Sequence, residues 1–241
     1  MSARPAYGID APGVVRGLGL AAAVAIPLAI YARADSAPDW LRLLRPSLTG
    51  AGVGMGLMCL WMLLSSLLLK QRVAGALLDR APWRGDERVL DVGCGRGLLS
   101  VAAARRVPSG SVTAIDKWQA KDLSGNTAAG VRANALAAGV ADRVTVETGD
   151  ACALPFADGS FDVVGSMTVI HNIPSAEDRA KAIAEIWRVT RPGGNILIYD
   201  IHHTGAYAKQ LRALGAQNLW RSGPTFLWGM FDHRISAVKP A

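Results

Sequence analysis

The stretch Val89-Leu90-Asp91-Val92-Gly93-Cys94-Gly95-Arg96-Gly97, VLDVGCGRG, decides how the chain is read. A short apolar run ends in a carboxylate and three alternating glycines, and the apolar segment LLSVAAARR follows. Strand, glycine loop and helix in that order bring a backbone close beneath a ligand. A dinucleotide fingerprint, G-x-G-x-x-G, seats a pyrophosphate on the helix N-terminus. Here Leu98 occupies the place of its third glycine, and the glycines fall at 93, 95 and 97 instead. The loop therefore admits a close ligand without requiring a phosphate seat.

Outward from this loop, short β-rich runs alternate with amphipathic segments. RVLDVG, SVTAID, RVTVETGD, FDVVGSM and GNILIYDI read as strands, each bounded by turn residues. LLSVAAARR, GNTAAGVRANALAAG and SAEDRAKAIAEIWRVT read as the helices between them. The last opens with Ser175 three residues before Asp178, in the manner of a capping box, and stops before Arg191-Pro192-Gly193-Gly194. Such alternation predicts a doubly wound parallel sheet with its ligand at the carboxyl ends of the strands. Asp116 closes the second strand, where a carboxylate can accept both hydroxyls of a ribose, and Gly149-Asp150 closes the third. A glycine loop alone is a weak signal; joined to these positions and to Arg191–Gly194 it is a strong one.

Residues 87–201 resemble a class I S-adenosylmethionine-dependent methyltransferase of the small-molecule branch. VLDVGCGRG resembles that family's first motif, AID its ribose-binding acidic end, GDACALPFADGSFDVV its third-to-fourth strand passage and RVTRPGG the lead into its fifth strand. The resemblance implies a mostly parallel, seven-stranded Rossmann-like sheet ending in a reversed hairpin, for which LGAQNLWRSG and HRISAVKP are the available strands. It implies S-adenosyl-L-methionine as cofactor. Gly93, Cys94, Gly95 and Gly97 would surround the methionine portion, and Asp91 would orient the loop and the ligand's amino group. Asp116 would hold the ribose, with Lys117 and Trp118 flanking the adenine. Asp150 would accept from the adenine amino group, Ala151 and Cys152 would add edge contacts, and Met167 would lie under the cofactor. For Trp118 a core or interface role is the competing reading, and Cys94 reads as a small filler.

The N-terminal third follows different rules. The whole chain is 19% charged, below the roughly 25% of soluble domains, and the deficit is concentrated. No charge occurs from Pro46 to Leu69 or from Gly17 to Ala32. About 20 helical residues cross a hydrocarbon core, so an α-helical transmembrane hairpin, spanning about 13–32 and 46–69, is expected over residues 1–70, ahead of a catalytic domain over 71–241. A cleaved signal ending near Ala32-Arg33-Ala34, or one span plus an interfacial helix, are the alternatives. Arg33, Arg42 and Arg45 in the connector stand against Lys70, Arg72, Arg80 and Arg84 after the second span, which weakly favours a cytoplasmic domain at a bacterial inner membrane. Trp40, Leu41, Leu43 and Leu44 point to a connector lying in the interface.

The glycines at 50, 52, 54 and 56 imitate a nucleotide loop, but no strand precedes them and LMCLWMLLSSLLL follows without a polar face. They read as close-packing positions. Gly52 and Gly56 could receive the first apolar segment or a second copy of the chain.

The formal net charge of +7 includes no dense basic run with interleaved aromatics, so nucleic acid is not an expected partner. Cys59, Cys94 and Cys152 lack metal-ligand spacing and fit a reducing compartment; no metal is expected. Methyl transfer needs an aligned nucleophile, excluded water and, for some acceptors, a base. His171 and His202, with Asn172, Asp200 and His203 beside them, follow the fourth and fifth strands and are the catalytic candidates. An anchored enzyme would meet a lipophilic or lipid-associated acceptor, and PTFLWGMF (224–231) could line a pocket or touch lipid. The rival readings are an anchored cofactor-binding module without catalysis and a nucleotide-cofactor oxidoreductase.

Overall fold

A computed structural model describes residues 5–119, 123–227 and 230–241. Five strands form the parallel part of the sheet: β1 (Arg88–Val92), β2 (Ser111–Asp116), β3 (Val144–Thr148), β4 (Phe161–Met167) and β5 (Thr190–Asp200). β6 (Gln217–Arg221), the two-residue β7 (Thr225–Phe226) and β8 (Phe231–Val238) follow. The order is β3-β2-β1-β4-β5-β8-β6, with β7 on β8, and β8 runs antiparallel to β5 and β6. The seven expected strands are present and β7 is an addition. Of PTFLWGMF, Trp228 and Gly229 lie outside the described residues.

Strand order reverses between β1 and β4, and β1 pairs with both β2 and β4. This opens a crevice at their carboxyl ends, beyond Val92 and Met167. Leu90, Val92, Val164, Ile196 and Ile198 are buried between the layers, as continuous apolar runs covered on both faces must be. One boundary differs from expectation. β5 begins at Thr190 and includes Arg191-Pro192-Gly193-Gly194, which the sequence places before the strand. The extra length is absorbed as a bulge: Phe161 pairs with Thr190 and Val163 with Asn195. Gly193 there takes φ 72° and donates to the Lys239 carbonyl at 2.8 Å.

Helices cover the faces: α4 (Leu98–Ala104), α5 (Ala128–Ala137), α6 (Ala176–Val189) and α7 (Thr204–Ala213). The Ser175 hydroxyl accepts from the Asp178 amide at 2.9 Å, so the cap read from sequence forms.

Two further helices, α1 (Pro12–Tyr31) and α2 (Asp39–Leu64), make an antiparallel pair. α2 starts seven residues earlier than hydropathy suggests, and the expected interfacial connector Trp40–Arg45 forms its first turns. Pro38 and Asp39 start it well, and Pro46 is accommodated inside. A π-helical turn (Ser65–Leu69) passes α2 directly into α3 (Lys70–Leu78). Ala74, Leu77 and Leu78 of α3 are buried in the core of the sheet domain, so the expected boundary at residue 70 falls inside a continuous helix. Both segments, Pro12–Tyr31 and Asp39–Leu78, are long and apolar enough to cross a membrane. Val24, Ile30, Leu57, Leu60 and Leu67 face outward.

The paired glycines are explained by this contact. A Cβ on Gly52 would stand 2.9 Å from Ile26 Cγ1 and 3.2 Å from Ala25 Cβ, and one on Gly56 would touch Ala22. That face meets α1, the first apolar segment, which is one of the two occupants the sequence allowed. Gly50 and Gly54 meet nothing within 4 Å. Gly52→Val is expected to lower stability by about 1–3 kcal/mol through overpacking, while Gly54→Val leaves it within about 0.5 kcal/mol. Thermal unfolding of the two variants in detergent checks this; equal losses would contradict the packing.

Candidate active site

The crevice beyond β1 and β4 is a cavity of about 1010 Å³. Its floor is the loop after β1. Gly93 takes φ 72°, and a Cβ there would lie 2.3 Å from Val169 Cγ1. Gly95 takes φ 56°, and its Cβ would approach Leu123 to 2.8 Å. Glycine is required at both, by conformation and by space. Gly97, at φ 79°, is the N-cap of α4 and is not among the residues that line the cavity.

Asp91 is the buried acid of the loop. Oδ2 accepts from Ser100 Oγ at 2.5 Å, while Oδ1 is buried with no partner among the described residues. Burial pushes its carboxyl up to about 7, against the pull of Ser100. Asp116, at the end of β2, accepts from the amides of Gly95 (2.8 Å) and Trp118 (2.6 Å) and also lines the cavity. Asp150 pairs with Lys117 at 2.7 Å and accepts from the Cys152 amide at 2.8 Å. Burial raises Asp150's pKa, but these bonds outweigh it and hold the carboxylate below its usual range. Cys94 is buried beside two acids, and its thiol is pushed well up; that fits a filler and not a nucleophile.

Asp91, Gly93, Cys94, Gly95, Asp116, Lys117, Asp150, Ala151, Cys152 and Met167 all face the one cavity. Trp118 does not. It adopts a left-handed turn, φ 63°, packs near Cys94 and Val146, and donates from Nε1 to Thr148 Oγ1 at 2.8 Å. These contacts fit the competing structural role.

His171 follows β4 in a short helical turn and lines the cavity. Its amide donates to Asp200 Oδ2 at 3.0 Å and its Nδ1 contacts Asp200 Oδ1. Asp200 is fully buried at the end of β5 and also accepts from the Ile201 amide. His202 is separate: it lines an adjoining hollow, its ring 6.2 Å from that of His171.

Part of the lining comes from the N-terminal third, which sequence reasoning did not assign to the site. Val14 and Leu18 of α1 and Met58 and Met62 of α2 line the same cavity. An N-terminal strap closes its side. Asn134 bonds both Ala6 backbone groups, Ser124 Oγ accepts from the Ile9 amide, and Tyr7 and Asp10 face the cavity. Lys70, only 3% exposed, donates to the carbonyls of Tyr7 and Gly8, both at 2.9 Å, and to Asp10 Oδ2 at 3.0 Å. Hydropathy could not reveal this, because the cavity-lining residues are as apolar as their outward-facing neighbours.

Comparison with known proteins agrees with the geometry. Residues 90–198 match the family model described as a methyltransferase domain. The chain is 34% identical over 125 residues to the ubiquinone/menaquinone biosynthesis C-methyltransferase UbiE of Roseobacter denitrificans, covering 52% of this chain and 46% of that protein. It is 37% identical over 136 residues to 27-O-demethylrifamycin SV methyltransferase of Amycolatopsis mediterranei, covering 55% and 43%. The chain thus spans about half the length of the curated relatives it matches. The crystal structure of the [4+2]-cyclase SpnF shares the fold, with a TM-score of 0.59 and 21% identity over 71% of this chain and 81% of that one.

Fold, loop and relatives agree on a methyltransferase domain over residues 90–198. S-adenosyl-L-methionine is its cofactor, and the residues fit it: the glycine floor leaves room, Asp116 reaches the cavity from the end of β2, and Asp91 Oδ1 is a buried acceptor with no partner among the described residues.

Because the folded pKa of Asp91 lies above the ordinary 3.8, the fold favours the neutral acid. That contribution is complete below about pH 4 and is lost as pH rises through about 7. A cationic amino group binds the ionised form. S-adenosylhomocysteine is therefore expected to bind about tenfold more tightly at pH 8 than at pH 6. Calorimetry on the wild type and Asp91→Asn checks this: the variant should show no such slope, and a flat wild-type profile would refute the assignment.

Proposed function

We propose that the protein is a membrane-anchored methyltransferase that transfers a methyl group from S-adenosyl-L-methionine to a lipophilic acceptor reached from the bilayer. One observation carries this reading: a single cavity is lined both by the cofactor loop and by residues of the apolar helices α1 and α2. An acceptor entering between Val14, Leu18, Met58 and Met62 would meet the loop without crossing water. The names of the two curated relatives, acting on quinone and rifamycin precursors, are consistent with a large apolar acceptor.

The outward apolar faces support this seating. Contiguous exposed leucines and valines on two long helices are costly in water and favourable in lipid. The strap before α1 and the domain after α2 lie at the same end of the helix pair, as a hairpin requires. The proposed site is the cytoplasmic face of a bacterial inner membrane.

When bound, the cofactor supplies an activated methyl group on a sulfonium. The chain's own part is to align and to manage a proton. Asp91 and Asp116 orient the two halves of the cofactor, and the apolar wall excludes water. Asp200 holds the protonated Nδ1 of His171, which leaves Nε2 as the basic nitrogen for an acceptor's proton. In this role His171 is the catalytic residue and Asp200 its positioning partner; His202 is not at the reacting centre.

The test uses the full chain reconstituted in lipid vesicles with methyl-labelled S-adenosylmethionine and a membrane lipid extract. Label is expected in the organic phase. His171→Gln should lower kcat by about 10²–10⁴ while S-adenosylhomocysteine binding is retained. Label confined to water-soluble products would overturn the lipophilic acceptor, and an unchanged kcat would remove His171 from the chemistry.

A further inference from the structure

Next to the main cavity lies a hollow of about 500 Å³ that shares Ile201 and Met230 with it. Its polar lining is basic or neutral: His202, His203, His233 and Arg221, with Thr204 and Gly205 in the first turn of α7. No carboxylate lines it among the described residues. Arg221 donates from Nε and Nη2 to Thr204 Oγ1, at 3.2 and 2.9 Å, and has no acidic partner among the described residues. His233 is held by the Ser222 carbonyl at 3.1 Å. His203 turns into α7 through a left-handed backbone, φ 59°. Burial, then the nearby Arg179 and His202, lowers its pKa against the pull of Asp200, so the neutral imidazole is favoured there and Arg221 is the fixed positive charge of the hollow.

The rim is of a different character. Phe231 is 66% exposed and Phe226 47% exposed, with Met230 beside them. Trp61 of α2 stacks near Phe226, 6.4 Å between ring centres, and donates from Nε1 to the Leu227 carbonyl at 3.1 Å. A cationic hollow edged by exposed aromatics and joined to an apolar helix suits a molecule with an anionic head and an apolar body.

We propose that this hollow is a subsite for the phosphate group of a membrane lipid, whose apolar body enters the main cavity across Ile201 and Met230. The inference deepens the lipophilic-acceptor reading and rests on it. It narrows the acceptor class to phosphorylated lipids. Arg221 supplies the permanent charge, the histidines add hydrogen bonds, and the α7 N-terminus favours the anion.

The experiment is calorimetric titration of the full chain in detergent, without cofactor, with short-chain phosphatidic acid. The matching diacylglycerol and inorganic phosphate are the comparison arms. Phosphatidic acid should bind at least tenfold more tightly than either. Arg221→Gln and, separately, His203→Asn should each weaken it at least fivefold while S-adenosylhomocysteine affinity stays unchanged, which shows that the variants are folded. Equal binding of diacylglycerol would overturn the phosphate subsite. Equal binding of inorganic phosphate would overturn the lipid as its source, and unaltered binding by both variants would overturn the location. Binding needs no methyl transfer, so labelled organic-phase product alongside absent phosphate binding would sink this inference alone.

Discussion

The structure turns on one buried ammonium group. Lys70 stands where the apolar helix ends and the catalytic domain begins, almost wholly removed from water. A lone buried cation costs several kcal/mol, and here three oxygens meet it, all supplied by Tyr7, Gly8 and Asp10. The Asp10 amide in turn donates to Ser66 in the π-helical turn, at 3.1 Å. The chain's beginning is thus fastened to the junction of helix and domain. Ion pairs of this kind contribute little net stability but specify an arrangement. This one fixes the strap in place, and with it the part of the cavity lining that Tyr7 and Asp10 supply.

From that fastening follows the division of labour in the cavity. The sheet domain supplies groups that need exact placement: two carboxylates, a glycine floor and a histidine held by a buried acid. The helix pair supplies only shape and apolarity. Methionines at 58 and 62 suit such a wall, being flexible and tolerant of different shapes.

Much of this was legible in the sequence, for reasons that are local. The glycine loop, the strand ends at Asp116 and Asp150, and the Ser175 cap depend on neighbours within a few residues. The reversed hairpin was implied by resemblance and is present. What stayed hidden depends on distance or direction. His171 and Asp200 are 29 residues apart and meet only because β4 and β5 are adjacent. Trp118 was assigned to the cofactor because it follows Asp116, and a single left-handed residue turns it to Thr148. The small face at Gly52 and Gly56 was visible, but what it faces was not. Hydropathy marked where charges stop, at Pro46 and Leu69, whereas the helix itself obeys backbone geometry and runs past both.

That overrun has a mechanical meaning. From Asp39 to Leu78 the chain is one helix of 40 residues, about 60 Å long at ~1.5 Å per residue, roughly twice the thickness of a hydrocarbon core. In the proposed seating it acts as a stiff mast with no swivel between deck and rigging. The reacting centre then rides at one fixed altitude, and its search for a partner is confined to a plane. Encounter would be governed by lateral diffusion and crowding in the leaflet, and hardly at all by how much acceptor is dissolved in the surrounding water.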